Sequence, residues 1–304
     1  MGVARGGYLA GIAAYGLWGF FPLYLRLLRP ASPLEILAHR IIWSVVFVGV
    51  VLLVGWRRRP ADRRNWLPGR GRSSRPLLAV IAAAALISVN WGMYIYGVDT
   101  ERVVETSLGY FINPLVTVLL GVLLLGERLR GPQWLAVGVG AVAVTVLTVD
   151  YGRLPYLALT LAGSFGLYGF VKKRLGLPPA EGLFAETLLL AGPALGLLWL
   201  LDQQGTLTFG TVSAGHTGLL LLAGAATSVP LLLFAGAANR IPLTALGILQ
   251  YLTPAMQFGI GVLIFGEPMP AARLAGFGLV WCALTIFTVD MIRNARRRPV
   301  LVEG

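Results

Sequence analysis

Ala14-Tyr15-Gly16-Leu17-Trp18-Gly19-Phe20 returns 150 residues later as Ser164-Phe165-Gly166-Leu167-Tyr168-Gly169-Phe170, with glycines and aromatic rings in register. At a shift of 140, Asn113-Pro114 falls on Thr253-Pro254, Gly121 on Gly261, Gly126-Glu127 on Gly266-Glu267, and Thr148-Val149-Asp150 on Thr288-Val289-Asp290. The chain therefore reads as two copies of one unit, residues 1–150 and 151–304. Apolar windows between breakers place spans near 8–28, 33–55, 76–98, 103–125, 131–150, 154–173, 181–201, 216–238, 242–265 and 270–292. Each copy holds five of these ten, an odd number, so the second copy enters the membrane upside down relative to the first. The expected fold is an all-α polytopic membrane protein of ten transmembrane helices built as two inverted five-helix repeats. Inverted repeats supply outward-open and inward-open states of similar energy, which is how secondary transporters alternate access.

Composition agrees with a lipid solvent. Hydrophobic residues make up 57% of the chain, charged residues 12%, and the mean hydropathy is +0.76. A soluble domain with so few charges would lack the polar surface to cover its core. The net charge of +12 does not indicate nucleic acid, because eight arginines crowd into one stretch, Arg57 to Arg75, between two apolar runs. A cytoplasmic loop collects Lys and Arg for topological reasons, and the stretch lacks a series of interleaved aromatic stacking platforms, holding the single ring of Trp66. With ten spans both termini share a side, and that side holds 19 of the 25 Lys and Arg, so both termini are expected in the cytoplasm. The first apolar run reads as a retained span, since it has no small-x-small cleavage site and recurs later in the chain.

Span two has a sharp start. In Ser32-Pro33-Leu34-Glu35 a capping serine precedes a proline at the first helical position and a glutamate at the third. Span four carries Glu105, Thr106, Gly109, Tyr110, Asn113 and Thr117 at three- and four-residue steps, one helix face. Span nine repeats the spacing with Gly247, Gln250, Tyr251, Pro254, Gln257 and Gly261. Two matched polar stripes predict a central solute cavity lined by Tyr110, Asn113, Thr117, Gln250, Tyr251 and Gln257; helix–helix glue is the alternative. Charged residues form two groups, Glu35, His39, Arg40 and Glu105 toward the outer face, and Lys172, Lys173 and Glu186 toward the cytoplasm. They are the candidate gates, with interfacial snorkelling as the alternative for the cations. Ala136 with Gly140, and Ala272 with Gly276, make small-residue faces that suit each other or a second copy in a homodimer.

An intramembrane enzyme would need a nucleophile with a base, or a metal cluster. The only histidines are His39 and His216, no His-Glu-x-x-His occurs, and Cys282 is the single cysteine, so no cofactor, metal or disulfide is expected. A channel would call for rings of like charge or a carbonyl filter. A lipid-intermediate flippase shares the transporter physics and differs in cargo.

The run Glu105 to Leu115 (ETSLGYFINPL), Gly126-Glu127-Arg128, Ala38-His39-Arg40, Asn90-Trp91 and Leu249-Gln250-Tyr251 together resemble the RarD-type permeases, the chloramphenicol-sensitivity proteins of the EamA branch of the drug/metabolite transporter superfamily. The likeness runs over nearly the whole chain; Leu252-Thr253-Pro254 departs from it, where the family carries a glycine before the proline. It implies the ten-helix inverted-repeat fold and a role in moving small metabolites, amino acids or drugs across a bacterial plasma membrane. It also adds Asn90 and Trp91 to the candidate solute site.

Overall fold

The computed structural model describes residues 2–57, 75–126, 128–238 and 240–297. Most of the basic Arg57 to Arg75 stretch and Glu127 of the Gly126-Glu127-Arg128 motif lie outside the described residues. Every regular element among the described residues is a helix: α1 (Gly2–Gly19), α2 (Phe21–Leu27), α3 (Pro33–Arg57), α4 (Arg75–Asp99), α5 (Val103–Leu125), α6 (Gly131–Tyr151), α7 (Tyr156–Leu175), α8 (Pro179–Gln203), α9 (Ala214–Ala238), α10 (Leu243–Leu249), α11 (Leu252–Gly259), a π-helical turn (Ile260–Ile264) and α12 (Ala271–Arg297). Among the described residues eight segments are long and apolar enough to cross a membrane, and α1 with α2 makes a ninth if the bent pair is one span. The chain is a multi-pass membrane protein. Of the expected ten, α7 is the one not counted, because Lys172, Lys173 and Arg174 occupy its last turn.

Local chemistry explains the starts and breaks. At α3 the Glu35 amide donates to Ser32 Oγ at 3.2 Å, the cap read from the sequence. The first span is bent by 42° between α1 and α2. Pro22 follows the bend and has no N–H to offer the Trp18 carbonyl one turn back. That carbonyl instead accepts from Gln257 Nε2 at 3.0 Å, and the Tyr15 carbonyl accepts from Thr253 Oγ1 at 2.7 Å. Span nine is divided into α10, α11 and the π turn around Pro254, yet Ala245–Ile264 remains one membrane-long segment without a comparable bend.

Packing fixes the arrangement. α7 lies on α4 and α5, α1 lies on α9 and α11, α3 lies on α8 and α9, α4 touches α8, α5 meets α11, and α6 pairs with α12. Gly224 lets α9 approach the backbone of Trp43, and Gly109 lets α5 approach the backbone of Ala158; a Cβ at either position would collide with main chain. α6 and α12 run antiparallel with Gly276 against Leu147; Gly140 meets Leu115 of α5 and Ala136 is buried, whereas Ala272 is exposed. The pair is bound at both ends, by Arg273 Nε to Asp150 Oδ2 at 2.8 Å and by Arg130 to Asp290. Outward-facing side chains are apolar: Leu263 is 84% and Val149 77% exposed, a surface that suits lipid.

Candidate functional site

The charged candidate residues fall into four places. The first lies where α3 meets the 207–209 loop. Glu35 is fully buried, and its Oε1 accepts from the Thr208 amide at 2.9 Å, the Thr208 hydroxyl at 2.8 Å and the Phe209 amide at 3.0 Å. His39 stacks on Phe209, with ring centroids 4.7 Å apart, and its Nε2 stands 3.9 Å from Glu35 Oε1. Trp43 Nε1 donates to His39 Nδ1, so in the neutral ring the proton sits on Nε2, toward the glutamate. The second histidine, His216, joins the same cluster through the Thr208 hydroxyl at 2.9 Å.

Glu105 belongs elsewhere. It pairs with Arg102 at 2.7 Å and Arg153 at 2.9 Å, and accepts from the Leu157 amide, tying the starts of α5 and α7 together. Beside it, Glu267 accepts from the Val103 and Val104 amides at the start of α5, a helix cap supplied from more than 160 residues away. Burial pushes the Glu267 carboxyl above the usual range despite those two donors. No sequence pattern pointed to this cap, although Gly266-Glu267 matched Gly126-Glu127.

Arg40 is in neither group. The bend between α1 and α2 brings Phe21 under its guanidinium at 4.8 Å, Trp91 of α4 covers the other approach at 4.6 Å, and Nε donates to Thr227 Oγ1 of α9 at 3.1 Å. Tyr24, Tyr94 and Tyr110 are within electrostatic reach, and none of the described ion pairs includes Arg40. Arg40 sits seven residues past Pro33, about 10 Å into the helix at 1.5 Å per residue. An arginine at membrane depth costs about 3 kcal/mol on insertion scales. Two desolvated cation–π contacts of about 2 kcal/mol each offset that without a carboxylate. Arg40 Nη1 nevertheless has no hydrogen-bond partner.

At the opposite end of the bundle, Lys172 Nζ bonds Glu186 Oε1 at 2.8 Å and the Tyr168 hydroxyl donates to Glu186 Oε2 at 2.9 Å. Glu186 is fully buried, whereas Lys173 is exposed. α7 and α8 make no extended contact of their own, so this ion pair joins two helices that otherwise meet only through α4, which both touch.

The stripe residues divide. Asn90 Nδ2 donates to Ser164 Oγ and the Leu161 carbonyl at 3.0 Å, and its Oδ1 receives the Tyr110 hydroxyl at 3.4 Å, so these two join α4, α5 and α7. Trp91 serves Arg40. Thr117 is exposed, beside Gly166 of α7. Gln250 and Tyr251 are half-buried next to each other and Thr288. Gln257 is spoken for by the bend of span one. Asn113 Oδ1, Gln257 Oε1 and the Tyr94 hydroxyl are buried without partners.

Comparison with known proteins gives these residues a setting. Residues 5–149 match the model of the EamA-like transporter family. Protein RarD of Streptomyces exfoliatus is 50% identical over 99% of this chain and 93% of its own length. The uncharacterized transporter YojE of Bacillus subtilis is 42% identical over 92% of each chain, and protein RarD of Escherichia coli 37% identical over 96% of this chain and 97% of its own. A solved crystal structure of a protein 17% identical superimposes with a TM-score of 0.56 over 95% of this chain and 98% of that one, which shows the fold alone. Full-length likeness at these identities decides the family: the chain belongs to the EamA-like transporters, among their RarD-type permeases.

Proposed function

We propose that the protein is a secondary transporter of small organic solutes, built from two inverted five-span repeats, residues 1–150 and 151–304, and working by alternating access rather than by catalysis. The packing scheme carries this reading. Exchanging the first five spans for the last five turns α4 on α7 into α9 on α1, α5 on α7 into α11 on α1, and α3 on α9 into α8 on α4; α3 with α8, α5 with α11 and α6 with α12 map onto themselves. Such a bundle holds two related arrangements close in energy. Lys172 with Glu186 forms the cytoplasmic gate and the Glu35–His39 cluster the outer one, in a bacterial plasma membrane with both termini cytoplasmic.

The test is counterflow in proteoliposomes: saturable exchange of a labelled solute is expected, and single-channel current in planar bilayers would overturn the reading. Orientation has its own check. A cysteine replacing Arg64 should resist an impermeant thiol reagent in intact cells, and ready labelling would reverse the topology.

A further inference from the structure

We propose that Arg40 and Tyr94 form a subsite for the carboxylate of a transported solute; the proposal rests on the transporter reading above. Arg40 is 5% exposed and Tyr94 4%, yet Arg40 Nη1 and the Tyr94 hydroxyl both lack a hydrogen-bond partner. They belong to one cluster, because the Phe21 ring lies 4.8 Å from the guanidinium carbon and 6.1 Å from the Tyr94 ring. Among the described residues no carboxylate forms an ion pair with Arg40. Glu35, on the same helix, turns Oε1 to three donors of Thr208 and Phe209, and although its Oε2 has no hydrogen-bond partner it makes no ion pair with Arg40.

Contacts with Phe21 and Trp91, and the Nε bond to Thr227, fix the guanidinium and leave donors for a further acceptor. A planar carboxylate is the natural complement to such a fork. The Phe21 and Trp91 rings cover the charge with aromatic carbon, which favours an anion with an organic body over a hydrated inorganic one. Four segments, α2, α3, α4 and α9, converge here, so the subsite lies where both repeats contribute.

The purified full chain is tested in detergent by thermal shift, with phenylpyruvate, benzoate and L-phenylalanine, each against its uncharged carboxamide, and with sodium sulfate. At least one carboxylate should raise the apparent melting temperature while its carboxamide does not. Tyr94→Phe removes a buried, unpaired hydroxyl and should fold like the parent, yet bind that carboxylate about tenfold more weakly, the worth of one charge-assisted hydrogen bond. Arg40→Gln, if it folds, should lose the response; if it does not fold, Tyr94→Phe decides. The proposal is overturned if no carboxylate shifts the parent, if carboxamides or sulfate act equally, or if Tyr94→Phe binds unchanged. Counterflow of an uncharged solute, with carboxylates inert, would keep the transporter reading and sink this site. Carboxylate binding with no counterflow of any solute would do the reverse.

Discussion

Lys172→Ala should disturb the protein more than Glu186→Gln, although the two residues share one ion pair. The Glu186 side chain is 1% exposed and that of Lys172 21%. Without Lys172, a buried carboxylate keeps only the Tyr168 hydroxyl. Stripping one partner from a buried pair costs about 3–5 kcal/mol. Without the Glu186 charge, the lysine stem can swing its ammonium to water, and the glutamine carbonyl still accepts from Tyr168, so the loss is about 1 kcal/mol. If the pair exists only while the cytoplasmic end is shut, a loss of about 3 kcal/mol shifts the closed-to-open ratio about a hundredfold. The reporter is Thr187→Cys in a Cys282→Ser background. Thr187 is fully buried beside Glu186, and its hydroxyl bonds only within its own helix. Labelling by an impermeant reagent in inside-out vesicles should quicken by about two orders of magnitude with Lys172→Ala and by about one or less with Glu186→Gln. The double variant should label more slowly than Lys172→Ala alone, since the stranded charge is gone. A double variant that labels as fast as the two single effects added together would refute the reasoning.

Four further outcomes are expected. Asn113→Ala deletes a buried, unpartnered acceptor, so melting temperature should hold or rise while solute binding weakens; a marked fall in melting temperature would make the residue structural. Glu267→Ala removes the cap on the Val103 and Val104 amides and should cost about 1–2 kcal/mol, read as a lower apparent melting temperature, with Glu267→Gln milder; equal effects would discount the cap. Gly224→Ala should prevent folding, because its Cβ meets the Trp43 backbone, whereas Gly138→Ala, in open space, should be neutral or stabilising by up to about 1 kcal/mol; size-exclusion profiles of the two variants decide. A disulfide between Leu147→Cys and Gly276→Cys, joining α6 to α12, should leave counterflow intact, and bridging Lys172→Cys to Glu186→Cys with a bifunctional thiol reagent should stop it.

What could be read in the sequence was what depends on neighbours along the chain. The cap at Ser32 and the start of α3 at Pro33 are local hydrogen-bonding problems with local solutions, and the structure solves them as read. The apolar windows fell on helices because lipid demands length and hydropathy together. Hydropathy alone undervalues α7, whose terminal lysine finds Glu186 across the next loop. Roles assigned by distant partners were hidden. Arg40 looked like a companion of Glu35 because the two are near in sequence, but Phe21 from the bent first span and Trp91 from α4 cover Arg40 while Glu35 binds the 207–209 loop. Gln257 looked like cavity lining, and its amide instead answers a carbonyl that Pro22 leaves open on another helix.

The charged contacts sort by what each would have to break for the bundle to move. Arg130 with Asp290 and Arg273 with Asp150 grip the same two helices at opposite ends. Opening either end of α6 against α12 would strand a carboxylate less than a tenth exposed and pull Leu147 away from Gly276. These bonds make α6 and α12 one body. Glu35 is held by main-chain amides of the loop after α8, and α3 already packs along α8, so the Glu35–His39 cluster travels with that pair. The contact between α7 and α8 differs, since no extended packing backs it: its strength resides in one lysine and one tyrosine on one glutamate. When the helices part, water can solvate both charges at once, so the lost Coulomb energy is largely returned as hydration. An interface with that property can open and shut within a few kcal/mol, and it is there, rather than at the doubly bound α6–α12 pair, that the two states of a transporter of this build should differ.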